Sequence, residues 1–174
     1  TSALPAAACP QGGLEALVAG EVSSASQKEV ALLWKRALEL REAEKLGEPG
    51  ELDRTLDQWL AKRKELAPGA ALLLAASRLL GPAPEVSLLA DALAPLVDGG
   101  DANLAVAASE LLANPAFKAL APTRKDEFAN QMLKRAEDAA LAPKLRLEFA
   151  KAAYRSGGGK ERLKANKVLR SFLD

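Results

Sequence analysis

The residues of this chain that come nearest to a chemical motif are Ser156-Gly157-Gly158-Gly159-Lys160. Glycines, a lysine and a helix start offer free backbone N–H groups, which suits a phosphate. A phosphate loop needs GxxxxGK followed by Ser or Thr, after a strand. Here Tyr154 stands at the first glycine position, Glu161 follows the lysine and a helical pattern precedes it, so the motif fails. Histidine is absent and Cys9 is the lone cysteine. That removes structural zinc sites, disulfide frameworks and every mechanism built on a Ser-His or Cys-His dyad. Cys9 has no basic neighbour or helix start beside it to activate the thiol. A lyase or glycosylase using carboxylates needs two acids converging in a pocket, and the acids are scattered over helix faces. No catalytic, cofactor or metal residue is assigned, and a non-enzymatic protein is expected.

What remains is recognition, and its raw material is charge. Residues 1–122 carry 11 Lys+Arg against 16 Asp+Glu, whereas residues 123–174 carry 13 against 7. Such a split attracts acidic partners to the C-terminal third. The basic positions Lys144, Arg146, Lys151, Arg155, Lys160, Lys164 and Lys167 could meet nucleic-acid phosphates, but base recognition adds stacking aromatics and only Tyr154 is near. Trp34 and Trp59 lie on apolar stripes, where a tryptophan is core. Lys62-Arg63-Lys64 ends a helix, where cations complement the macrodipole.

The elements that must position these residues are helices. Alanine and leucine dominate, aromatics are 4% of 174 residues, and the Val, Ile, Thr and Tyr enrichment of strands is missing. The chain is long enough to bury a core without disulfides or metal. A Ser26–Glu29 capping box opens a helix from about 27 to 46, ended by Gly47. Further helices are expected over about 51–65, 70–80, 85–97, 102–113, 123–139, 143–154 and 160–173, with a short helical stretch from 115 to 120 and another near 14–19. The segment 70–80 is apolar nearly all round, so it must be covered on more than one side. It is far shorter than the ~20 residues of a membrane span. Asp101 is placed to cap its helix, and Gly99-Gly100 to turn the chain through left-handed backbone. Thr123 is expected to cap the helix that buries Phe128, Met132 and Ala136. The last helix would dock through Ala165, Val168, Leu169, Phe172 and Leu173.

Met132 is the only methionine, so Thr1 reads as the start of a processed form or of a piece of a longer chain or complex. Residues 1–12 are Ala/Pro-rich and read as an inter-domain linker, with the small-residue end of a secretion signal as the alternative, and 13–174 are read as a single repeat domain. The compartment stays open, with the cytoplasm ahead of export.

Ala75-Ala76-Ser77-Arg78-Leu79-Leu80 returns 32 positions later as Ala107-Ala108-Ser109-Glu110-Leu111-Leu112. Repetition of helices signals a solenoid. Pro143-Lys144-Leu145-Arg146, followed by Phe149-Ala150-Lys151-Ala152-Ala153, resembles the second helix of a HEAT repeat. The stretch 85–112 resembles one too: Leu88-Leu89 and Leu93 precede Asp98, Asp101 and Leu104-Ala105-Val106-Ala107-Ala108, with Ala105 where the family prefers arginine. Leu104 and Leu145 are 41 positions apart, inside the HEAT and armadillo spacing of about 40 to 47, whereas the echo's 32 is nearer tetratricopeptide length. The tetratricopeptide pattern of Trp, Leu-Gly and Tyr is missing from every copy. The resemblance covers about 68–157. It implies an all-α, right-handed superhelix of about 8–10 helices whose second helices line a concave face. It also implies a scaffold or adaptor binding another protein or peptide, an acidic one on the charge argument; nucleic acid or another polyanion is the alternative. The charged positions on those second helices are Arg78, Glu110, Arg146, Lys151 and Arg155, the expected partner-binding residues.

Overall fold

A computed structural model describes residues 30–43, 50–62, 64 and 66–174. The linker reading of 1–12, Cys9, the helix near 14–19, the Ser26–Glu29 capping box, Gly47 and Arg63 lie outside the described residues. All regular structure among the described residues is helical: α1 Val30–Ala43, α2 Glu51–Ala61, α3 Pro68–Leu79, α4 Val86–Val97, α5 Ala102–Leu112, a 3-10 helix Pro115–Ala119, α6 Pro122–Ala136, α7 Pro143–Ser156 and α8 Gly159–Arg170. No helix among the described residues is long and apolar enough to cross a membrane. The chain forms two compact units, 1–92 and 93–174, and the division falls within α4.

Three helices begin in the same way. Ala67-Pro68, Ala121-Pro122 and Ala142-Pro143 each place an extended alanine before a proline at the first helical position. Proline presets the helical φ there and lacks an N–H that would have no partner anyway. This displaces the expected cap at Thr123, which sits inside α6 and is exposed. Asp101 caps α5 as expected, its carboxylate accepting from the N–H groups of Asn103 and Leu104. The left-handed turn at Gly99-Gly100 does not form. Among the described residues only Gly50 (φ 82°) and Ala83 (φ 43°) have positive φ, and the turn closes instead by the Gly99 N–H bonding the Leu96 carbonyl at 3.1 Å.

In the first unit α3 packs against both α1 and α2. Ala70 to Arg78 are buried without a break, so the helix with no polar side is enclosed on all sides. Leu56, Trp59 and Leu60 of α2 join it in the core, while Trp34 of α1 is only half-buried. In the second unit α7 packs against α5, α6 and α8, and α6 also meets α8. Phe128, Met132 and Ala136 point inward as their spacing requires, against a core that includes Phe149 and Ala150. α8 docks less deeply than its stripe suggests. Ala165 is fully buried, but the helix ends at Arg170 and Leu173 is 86% exposed.

The glycine segment before α8 is a fixed corner. Asp126 of α6 accepts a hydrogen bond from the Gly158 N–H at 2.8 Å, and Arg162 Nε donates to the Gly157 carbonyl at 3.0 Å. Gly157 is buried. A Cβ there would lie 2.5 Å from that of Glu161 and 3.0 Å from that of Ala129, so only glycine lets α8 come this close to α6.

Candidate interaction surface

Arg78 lies inside the first unit. Its side chain is 7% exposed, Nε bonds Asp57 at 2.8 Å, Asp53 lies 3.5 Å from one terminal nitrogen, and the terminal nitrogens donate to the carbonyls of Pro82 and Ala83. Arg41 joins from α1, bonding Asp53 at 2.8 Å and the Ser77 carbonyl at 3.0 Å. Two arginines and two aspartates thus hold α1, α2, α3 and the following turn together. Arg78 therefore leaves the set of partner-binding residues, because its donors are engaged and a partner could not reach it. The turn at Gly81 passes so close that a Cβ there would overlap Asp53 Oδ1 and approach Arg41 to 2.8 Å.

The other four expected residues all lie in the second unit. Glu110 of α5 and Arg155 of α7 form an ion pair at 2.6 Å, with the arginine side chain half exposed and Glu110 16% exposed. Lys151, one turn earlier on α7, is exposed and pairs with Glu148 at 3.0 Å. Arg146 belongs to a different environment. Its Nε donates to the Ala136 carbonyl at 2.8 Å and its guanidinium stacks 5.4 Å from the Phe172 ring, so it ties α6 and the C-terminal turn to α7. The structure brings together Glu110, Lys151 and Arg155, and sets Arg78 and Arg146 apart from them.

Arg155 also edges a shallow cleft of ≈ 30 Å³ that sequence reasoning did not find. Leu112, Phe117 and Phe128 line its apolar part; Lys118, Lys125 and Arg155 supply charge, with Asn114 and Ser156 at the margin. Four elements build it: the end of α5, the 3-10 helix, α6 and the last turn of α7. Asn114 sets the second by capping it, accepting from the Ala116 N–H at 2.9 Å. Lys125 Nζ donates to the Lys118 carbonyl at 3.3 Å, which fixes one ammonium beside the cleft. Because the three cations come from three separate segments, no periodic pattern joined them in the sequence.

Comparison with known protein families, curated proteins and solved structures finds no match. The charged groups at the cleft are all cations, and among the described residues no three His, Cys, Asp or Glu side chains converge as a metal site.

Proposed function

We propose that this chain is a protein-interaction module of HEAT-like helical hairpins, with α5 and α7 as second helices that carry the contact surface and an acidic protein or peptide segment as the partner. The observation that carries this reading is the cleft beside the Glu110–Arg155 pair, where Lys118, Lys125 and Arg155 surround an apolar floor. An acidic side chain meets the cations at the mouth of the cleft, above the buried rings of Phe117 and Phe128. Charge complementarity of this kind sets specificity and association rate more than raw affinity.

Two features support the repeat. α5 and α7 lie side by side in the second unit, as successive second helices do in a stack. The echoed hexapeptides also share a local device: Ser77 bonds the Leu73 carbonyl and Ser109 the Ala105 carbonyl, each at 2.8 Å and each fully buried. A serine that bonds back four residues needs no other partner and can sit against a neighbouring helix.

The test is affinity capture followed by identification of the captured segment and titration of that segment as a synthetic peptide. Lys118→Ala, Lys125→Ala and Arg155→Ala together should raise its Kd at least about tenfold, as removal of hot-spot cations does. If the triple variant captures the same proteins with the same affinity while substitutions on exposed positions of α4 abolish capture, the surface is elsewhere.

A further inference from the structure

The outward side of α8 presents an arrangement that the interaction surface does not use. Residues 159–174 contain five cations and two acids, Glu161 and Asp174. Glu161 is buried, on the side that faces the protein with Ala165. On the opposite side Leu163 is 73% exposed. Lys160, Lys164, Lys167 and Arg170 stand three before it and one, four and seven after it, all exposed. Helical geometry puts residues spaced by three, four and seven on one stripe, so Lys160, Lys167 and Arg170 share the leucine's stripe and Lys164 stands on the face beside it. None of the four pairs with an acid among the described residues. Leu173, 86% exposed, follows in the turn beyond the helix.

Each part narrows the partner. Unpaired cations on one face call for an anionic surface, and nucleic acid meets that demand. A bare leucine in the middle of the face gains nothing against phosphates, and the face carries no exposed aromatic to stack a base. At a bilayer surface both parts are used. The leucine reaches the boundary of the acyl chains, and the lysine stems lie along the apolar layer with their ammonium groups among the headgroups. We infer that the outer face of α8 is a docking surface for an anionic lipid bilayer, with the helix axis parallel to the membrane plane, Leu163 and Leu173 inserted, and Lys160, Lys164, Lys167 and Arg170 on the headgroups. The helix does not span. Its 12 residues measure about 18 Å at about 1.5 Å each, and only its outer side is apolar at one point. The attraction is additive and modest, roughly fivefold in partition constant for each cation, which makes binding reversible and dependent on lipid charge.

Co-sedimentation of the purified chain with vesicles tests this. The chain should partition onto vesicles of phosphatidylcholine mixed with phosphatidylserine and not onto phosphatidylcholine alone. Raising salt from about 0.1 M to about 1 M, which cuts the screening length from about 10 Å to about 3 Å, should release it. Lys164→Glu/Lys167→Glu should lower the partition constant at least about 25-fold, and Leu163→Ser about tenfold. All three positions are exposed, so the far-UV circular dichroism of the variants should match that of the parent. A Leu163→Trp variant should shift its emission to shorter wavelength on the mixed vesicles only. No phosphatidylserine-dependent partition at low salt overturns the inference. So does an oligonucleotide that binds through the same lysines, displaces the chain from vesicles and is indifferent to Leu163→Ser, since the face would then be a nucleic-acid surface. Neither result bears on the cleft at Phe117 and Phe128, which is tested separately by peptide titration.

Discussion

Arg78 shows how a single residue decides between structure and surface. It is the one charge in a helix otherwise apolar on every side, and a charge in that position must be paired to be buried. Its partners, Asp53 and Asp57, belong to α2 and appear 25 and 21 positions earlier, a separation that leaves no periodic trace. The same guanidinium holds the carbonyls of Pro82 and Ala83, which fixes the turn where Ala83 takes a positive φ. Arg78→Met should cost about 3 kcal/mol of unfolding free energy, because Asp57 keeps its charge without a partner, Asp53 is left with Arg41 alone and the carbonyls of Pro82 and Ala83 lose their donors; urea unfolding followed by Trp59 emission measures it. Gly81→Ala should cost about 1–3 kcal/mol, since its Cβ would push into Asp53 and Arg41. Arg155→Ala acts in the opposite sense. Its pair with Glu110 is half exposed, so stability should change by less than about 1 kcal/mol while peptide binding falls. A variant that weakens binding without moving the urea midpoint separates contact from scaffold.

At the scale of elements, helix positions were legible because periodicity and punctuation agree. Stripes such as Leu56, Trp59 and Leu60, or Phe128, Met132 and Ala136, are buried as their spacing requires. Ala-Pro steps open α3, α6 and α7. Asp101 was recognisable as a cap from its place between glycines and an apolar run, and Asp101→Ala should destabilise by about 1 kcal/mol in a thermal or urea melt. Thr123 was misleading, because a proline one residue earlier starts the helix without a side-chain cap. Nothing local in the glycine segment 156–159 announced that Asp126, 32 residues away, would hold the Gly158 N–H. Asp126→Ala should leave that N–H without its partner and loosen the α7–α8 corner. Amide exchange at Gly158 should quicken by about tenfold, while α5 amides keep their protection. Leu173 was placed on the docking stripe by spacing alone, yet α8 stops at Arg170 and the turn carries it outward.

For the molecule as a whole, the chain's all-α character followed from composition, while its division into two units did not, because the boundary crosses the helix α4 rather than a linker. Charge follows the division. Residues 93–174 hold 14 Lys+Arg and 10 Asp+Glu, against 10 and 13 in residues 1–92, so the positive excess belongs to the second unit. The candidate cleft was illegible because Lys118, Lys125 and Arg155 meet only when the 3-10 helix, α6 and α7 have assembled. Partner binding should weaken as salt rises, with the loss falling mainly on the association rate, which stopped-flow mixing reads directly. The most direct measurement is amide hydrogen exchange of the full chain with and without the captured acidic segment. The account predicts added protection at the end of α5, the 3-10 helix and the last turns of α7, lost in the Lys118→Ala/Lys125→Ala/Arg155→Ala variant. Protection confined to α1–α3, or unchanged by those three substitutions, would contradict it.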